Sequence, residues 1–172
     1  MVPVPTKIRP AVPGDAAALV ELNNRLVAET EFMVLLPIDP ATGVHQVRAL
    51  LESLSRGAAR TILLAEAEGR LTGLAVGTAD MNPRYRGTVE VEVGVVAEAW
   101  GRGVGRALME ALEGVWLARG ARRFQLRVLA HNERAVRLYE RLGYAHEGRL
   151  RGNVTLSQGF ADQLLMGKLV GG

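Results

Sequence analysis

The sequence predicts an α/β chain of three layers, with helices on both sides of one mixed sheet. Three observations predict it. Stretches with the two-residue period of a strand alternate along the chain with stretches of helical period. Gly101, Gly103 and Gly105 punctuate a tight turn where strand period gives way to helix period. No internal repeat, low-complexity run or linker interrupts residues 1–172, so the chain reads as one domain with a self-sufficient core.

Lys7-Ile8-Arg9-Pro10 reads as a short first strand, preceded by prolines that favour an extended start. Asp15 is the expected N-cap of a first helix with Leu19, Leu22 and Leu26 on its buried stripe. Between residues 29 and 42, Pro37 and Pro40 indicate a loop with at most one helical turn. Val44, Val47, Leu50, Leu51 and Leu54 define a second helix, ending near Gly57. Residues 61–67 and 71–79 are two strands joined by the hairpin turn Glu68-Gly69-Arg70, and Asn82-Pro83 marks the next turn.

Beyond it, Val89, Val91, Val93 and Val95 alternate with Glu90, Glu92, Gly94 and Val96, as in a strand with two unlike faces. After the glycines, Val104, Ala107, Leu108, Ala111, Leu112 and Val115 recur at helical steps, and Gly120 takes the C′ place. A strand over 123–128 follows. Asn132 then caps a helix with Glu133 in its first turn, the stripe Ala135, Leu138, Tyr139 and Leu142, and Gly143 at C′. Residues 144–150 form a strand, 152–158 a loop and 160–169 the last strand.

Composition narrows the function classes. Hydrophobic residues make up 48% and charged residues 23%, which suits a globular chain and argues against extensive disorder. The formal net charge is +3, carried by scattered arginines; that is too mild to indicate nucleic acid but suits an anionic cofactor. With no cysteine, disulfides, thiolate metal sites and a cysteine nucleophile are excluded. His45, His131 and His146 lack metal-ligand spacing, so no metal is expected. No apolar run approaches the ~20 residues of a membrane span, and the first ten residues lack an apolar signal core. A cytoplasmic protein is expected.

The glycine turn carries the strongest functional signal. A glycine-rich turn feeding a helix exposes unpaired N–H groups at the positive end of the helix dipole, a site for phosphate. Arg102 and Arg106 add charge on each side. A dinucleotide fingerprint needs a glycine three positions after its second; counting from Gly101 or Gly103, Arg106 or Leu108 stands there. The ribose-binding acid is missing too, and no Gly-Lys-Ser/Thr run exists for a nucleotide P-loop. What remains, Trp100-Gly101-Arg102-Gly103-Val104-Gly105 after a strand, resembles the acyl-coenzyme A pyrophosphate loop of the GNAT acetyltransferases, Gln/Arg-x-x-Gly-x-Gly/Ala, with Trp100 departing from the usual first residue. His131-Asn132-Glu133-Arg134-Ala135-Val136-Arg137-Leu138-Tyr139-Glu140-Arg141-Leu142-Gly143-Tyr144 is similar to the same family's Asn-x-x-Ala-x-x-Leu-Tyr-x-x-x-Gly-Phe/Tyr segment. The resemblance spans residues 62–169 and is nearest to ribosomal-protein and phosphinothricin-like acetyltransferases.

The resemblance implies a GNAT fold whose sheet is mixed, mostly antiparallel and splayed at the central strand. It implies acetyl-CoA as co-substrate, with no metal, and a primary amine acceptor. The backbone of Val93, Gly94 and Val95 would pair with the pantetheine arm, and Gly94 suits a bulge or close approach. Gly101, Arg102, Gly103, Val104, Gly105 and Arg106 would cradle the pyrophosphate. Asn132 would serve the pantetheine, alongside its reading as a plain N-cap.

Tyr139 is the family's candidate general acid, though a core tyrosine on a helix stripe is the competing reading. Glu90, at a position where phosphinothricin-type relatives carry a strand glutamate, leads Glu92 as candidate base. Two carboxylates on one face of a partly buried strand suit taking a proton from an ammonium, and solvent-facing or arginine-paired glutamates are the alternative. The base found five residues before the motif asparagine in some ribosomal-protein enzymes corresponds to Arg127 and does not transfer. Two other function classes stay open: a non-catalytic acyl-CoA-binding or regulatory module, and a nucleic-acid binder with clustered arginines. Acceptor identity and oligomeric state, a homodimer included, are not readable.

Overall fold

The structure is a computed structural model that describes residues 6–33, 35–54 and 59–171. The expected end of the second helix near Gly57 and the extended start before residue 6 lie outside these residues. Among the described residues the elements run β1 (Lys7–Pro10), α1 (Ala16–Glu29), α2 (Pro40–Leu54), β2 (Arg60–Ala67), β3 (Arg70–Ala79), β4 (Thr88–Val95), α3 (Val104–Ala118), β5 (Arg123–Leu129), α4 (Glu133–Arg141), β6 (Ala145–Leu156) and β7 (Gly159–Leu169). The strands form one sheet ordered β1-β2-β3-β4-β5-β7-β6. Every neighbouring pair is antiparallel except β4–β5. The expected three-layer, mixed and mostly antiparallel arrangement is present.

Small residues on the strands decide how closely the layers approach. Trp116 of α3 packs against β3, where a Cβ at Gly77 would stand 2.2 Å from its Nε1. Leu108 of α3 meets Gly73 on the same face, and Leu138 of α4 lies beside Gly105, so α3 and α4 share that side. On the opposite side, Leu26 of α1 and Met33 cover Gly94. The core between these layers holds Leu22, Leu26, Leu64, Leu108, Leu112 and Phe124 in full burial, each stabilising by roughly 1.5–3 kcal/mol. No helix of the described residues is long and apolar enough to cross a membrane.

Three expectations need correction. The second helix starts at Pro40, inside the stretch expected to be loop. Asp39 caps it, accepting from Ala41 N–H at 2.9 Å, and the proline occupies the first turn, where its missing N–H costs nothing. Asp15 does not cap α1 with its side chain. Its carboxylate instead accepts Val12 N–H and two Arg9 bonds, each at 2.8 Å, tying β1 to the turn before α1. Finally, β6 runs through to Leu156, across most of the expected 152–158 loop. The ladder slips between Leu150 and Val154, and Asp162 of β7 fills the irregularity by accepting Gly152 N–H and Arg149 Nε at 2.7 Å each.

Candidate active site

The site begins where two strands part. β4 and β5 pair only at Thr88–Arg123, Val89–Phe124 and Glu90–Gln125. Past Glu90, β4 stays paired to β3 as far as Val95, and β5 stays paired to β7 as far as Leu129. The expected splay is therefore present, as a V open on one side of β4. The hydrogen bond from Val96 N–H to Thr72 C=O, 3.0 Å, sets the parity of the β3–β4 ladder. Gly94 accordingly turns its N–H and C=O to β3, while Val91, Val93 and Val95 turn theirs into the V. No register shift interrupts β3–β4, so Gly94 is not a bulge. Its role is close approach: a Cβ there would stand 2.9 Å from Leu26 Cδ1 and 3.0 Å from Met33 Cε.

The V opens into a cavity of about 750 Å³ that continues to the start of α3. Gly101 and Gly103 hold φ of +73° and +79°, left-handed values that glycine adopts without strain. Gly103 is the N-cap residue of α3, and no side chain caps that helix. The first intrahelical bond is Ala107 N–H to Gly103 C=O at 3.0 Å, so the N–H groups of Val104, Gly105 and Arg106 precede the helical ladder. Nothing lies within 4 Å of where a Cβ would stand on Gly101 or Gly103, which leaves this surface open. An anionic diphosphate needs converging N–H donors and positive charge, and an extended amide arm needs an unpaired strand edge. Both are present and contiguous, so these residues fit coenzyme A.

The charge around the turn is unevenly engaged. Arg106 pairs with Glu110 at 2.7 Å, one turn along α3. Arg102 has no such partner among the described residues. Trp100 is pinned by its indole N–H, which donates to Val95 C=O at 2.7 Å, and Arg134 of α4 lies over its ring at 3.8 Å from the centroid. Asn132 caps α4, its Oδ1 accepting Ala135 N–H at 3.2 Å, and also lines the cavity.

At the other end, Glu90 and Glu92 project from β4 on the α1 side and are exposed. The partial burial invoked for them is missing. Glu90 stands 3.9 Å from Arg127 across the opening strands. Tyr139 enters from the α3–α4 side and is 6% exposed, with its ring against Tyr144 at 5.8 Å. Burial, and secondarily the Glu92 carboxylate, push its phenol well above the ordinary tyrosine value. The phenol is therefore protonated at neutral pH and can donate a hydrogen bond, while its burial makes it a weaker acid than a free tyrosine. Behind it, Tyr144 donates to Glu113 Oε1 at 2.9 Å and Lys168 donates to Oε2 at 2.6 Å, which fixes the wall on which Tyr139 rests.

Several lining residues escaped the sequence reading. Phe32, Met33 and Leu35 come from the loop between α1 and α2, and Asn153 and Gln163 from β6 and β7. Phe32 packs on His131 at 5.4 Å between ring centroids, and Glu31 meets the same imidazole at 3.3 Å, so this loop touches the β5–α4 turn. Only apolar residues inside a proline-bounded loop signalled that contribution. Among the described residues, no group of three or more His, Asp or Glu could hold a metal ion.

Comparison with known proteins agrees with this geometry. The family model "Acetyltransferase (GNAT) family" matches residues 26–144. A phosphinothricin N-acetyltransferase of Streptomyces coelicolor is 30% identical over 147 residues, covering 84% of this chain and 85% of that protein. The crystal structure of a GNAT-family acetyltransferase from Streptococcus pneumoniae superposes with a TM-score of 0.90 at 32% identity, covering 97% of this chain and all of that one (100%). A phosphinothricin acetyltransferase from Sinorhizobium meliloti, solved in complex with acetyl-CoA, superposes with a TM-score of 0.82 at 25% identity, covering 96% and 89% of the two chains. With the matched model spanning the splayed strand, the glycine turn and the Asn132 helix, the chain belongs to the GNAT family of acetyltransferases.

Proposed function

We propose that this chain is a cytoplasmic N-acetyltransferase that moves acetyl from acetyl-CoA to a primary amine by direct attack within a ternary complex. One observation carries the reading: the β4–β5 ladder ends at Glu90, and the open edge leads without a break to the uncapped start of α3. When bound, acetyl-CoA supplies the acetyl thioester. Backbone groups of Val93 and the N–H of Val95 hold the arm, and the N–H groups from Val104 to Arg106, with Gly101, Gly103 and Arg102, hold the diphosphate. Asn132 offers its amide N–H to the arm while its oxygen caps α4.

Glu90 and Glu92 draw an ammonium to the opposite end of the V. Glu90, directly or through a water, takes the proton that the nitrogen must lose, and Tyr139 gives its phenolic proton to the departing sulfur. The likeness to phosphinothricin enzymes favours a small-molecule amine over a protein N-terminus. Glu90→Gln should flatten the rising limb of the pH–rate profile, and an unaltered profile would move the role to Glu92 or water. The decisive experiment is free-thiol release from acetyl-CoA against a panel of amines. Release with one class supports the enzyme; tight coenzyme A binding with no release for any amine supports a non-catalytic binding module.

A further inference from the structure

We propose that Arg134, held over the Trp100 ring, is a phosphate-binding residue for coenzyme A, and that Trp100 is the positioning residue that places it. The loop of this chain lacks the Gln or Arg that heads the resembled pattern; an aromatic ring stands there instead. Its indole is not free to turn. Nε1 donates to Val95 C=O at 2.7 Å, on the strand edge that opens into the cavity. The Arg134 guanidinium lies over the ring, its Cζ 3.8 Å from the centroid. Both residues line the cavity next to Gly101 and Gly103.

Arg134, like Arg102, is free of carboxylates among the described residues, but it alone of the two is held over a ring. Arg106 is paired with Glu110, Arg127 with Glu90 and Arg137 with Glu133. Arg134 has no hydrogen bond or ion pair among the described residues, although Glu133 adjoins it in sequence; Arg137 engages that carboxylate at 2.9 Å. Stacking restrains a guanidinium through its flat face and leaves the N–H groups in its plane available. Those donors match phosphate oxygens, and their pre-set orientation reduces the ordering that binding must otherwise impose. The second motif thus supplies a cation at the head of the loop, seated on Trp100. The same contact takes up Val95 C=O, so the arm finds its free carbonyl at Val93 rather than Val95.

This inference rests on the coenzyme A reading above, and calorimetry separates the two. Wild type, Arg134→Gln, Trp100→Leu and the double variant are titrated with coenzyme A, 3′-dephospho-coenzyme A and pantetheine, the last at high concentration. Arg134→Gln should weaken coenzyme A binding by about tenfold or more, as expected for a lost charged hydrogen bond, with pantetheine binding unchanged. Trp100→Leu should show the same selective loss, and the double variant no more than the larger single one. If the Arg134→Gln loss persists with the dephospho compound, the diphosphate is the partner; if it vanishes, the ribose 3′-phosphate is. Either result supports the proposal. Coenzyme A affinity within twofold of wild type in Arg134→Gln, or equal losses for coenzyme A and pantetheine, overturns it. Arg134 is exposed, so its variant tests the idea even should Trp100→Leu fail to fold. Wild type that binds no coenzyme A would instead remove the reading beneath it.

Discussion

Helices α3 and α4 flank the same cavity but begin in opposite ways. At α4, Asn132 supplies an oxygen to Ala135 N–H, so a donor that water or ligand would otherwise fill is already satisfied. At α3, the N-cap residue is Gly103 in left-handed conformation, with no side chain to offer, and the first N–H groups stay open. An uncapped helix start beside a splayed strand is where the proposed function seats the diphosphate. In the proposed function the capped helix contributes side chains, Tyr139 among them, whereas the bare one contributes backbone. On that proposal, chemistry and cofactor grip belong to different helices.

Substitutions can break that division, and the largest effect belongs to the capped helix. Tyr139→Phe should lower turnover by about a hundredfold or more, the lower range for a lost general acid, with coenzyme A affinity nearly unchanged. Steady-state kinetics beside calorimetry checks it; unchanged turnover removes the acid role. Gly103→Val should do the reverse. A branched residue forced to a φ of +79° is strained, and the turn must reshape. Coenzyme A affinity should fall by about tenfold or more while the fold survives a loss of roughly 1–3 kcal/mol. A variant that binds as well as wild type would mean the turn does not grip the cofactor.

Asn132→Ala sharpens the contrast. Thermal unfolding should show about 1 kcal/mol of lost stability from the missing cap, with only a few-fold loss of coenzyme A affinity. A larger binding loss than for Gly103→Val would place the grip at α4 instead. The smallest effect lies away from both helix starts. The Asp15 carboxyl is held below its ordinary 3.8, chiefly by hydrogen bonds from Arg9. Its ion pair therefore stabilises the fold fully above that value, and the contribution is lost as pH falls below it through the folded value. Asp15→Asn should cost roughly 1 kcal/mol near neutrality, the gap to wild type closing under acid. Coenzyme A affinity should not move. A pH-independent gap would show that the carboxylate's charge is irrelevant.

What could be read from the sequence follows the same line. Backbone devices leave one-letter traces: left-handed turns need Gly101 and Gly103, and a cap needs Asn132, so both motifs and their order were legible. The splay was legible only through family resemblance, because the divergence of β4 from β5 is a property of two strands. Pro40 misled as a breaker because it stands at the one helical position where proline costs nothing, behind Asp39. The extent of β6 was hidden by an irregularity that depends on Asp162 from the opposite strand. That Glu90 and Glu92 share one face of β4 is legible from their spacing, but which face and how exposed they are depend on the packing of α1 and on how far β5 withdraws. Trp100 and Arg134 stand 34 positions apart in sequence (134 − 100), and nothing local announces that one lies on the other. Cross-chain contacts of side chains were the part that required coordinates.

The most direct measurement is an amide NMR titration of nitrogen-15-labelled protein with coenzyme A. The N–H signals of Val104, Gly105 and Arg106 should shift most as the ligand saturates, moving downfield as they gain an anionic acceptor. Saturation with those three signals unmoved would contradict the account.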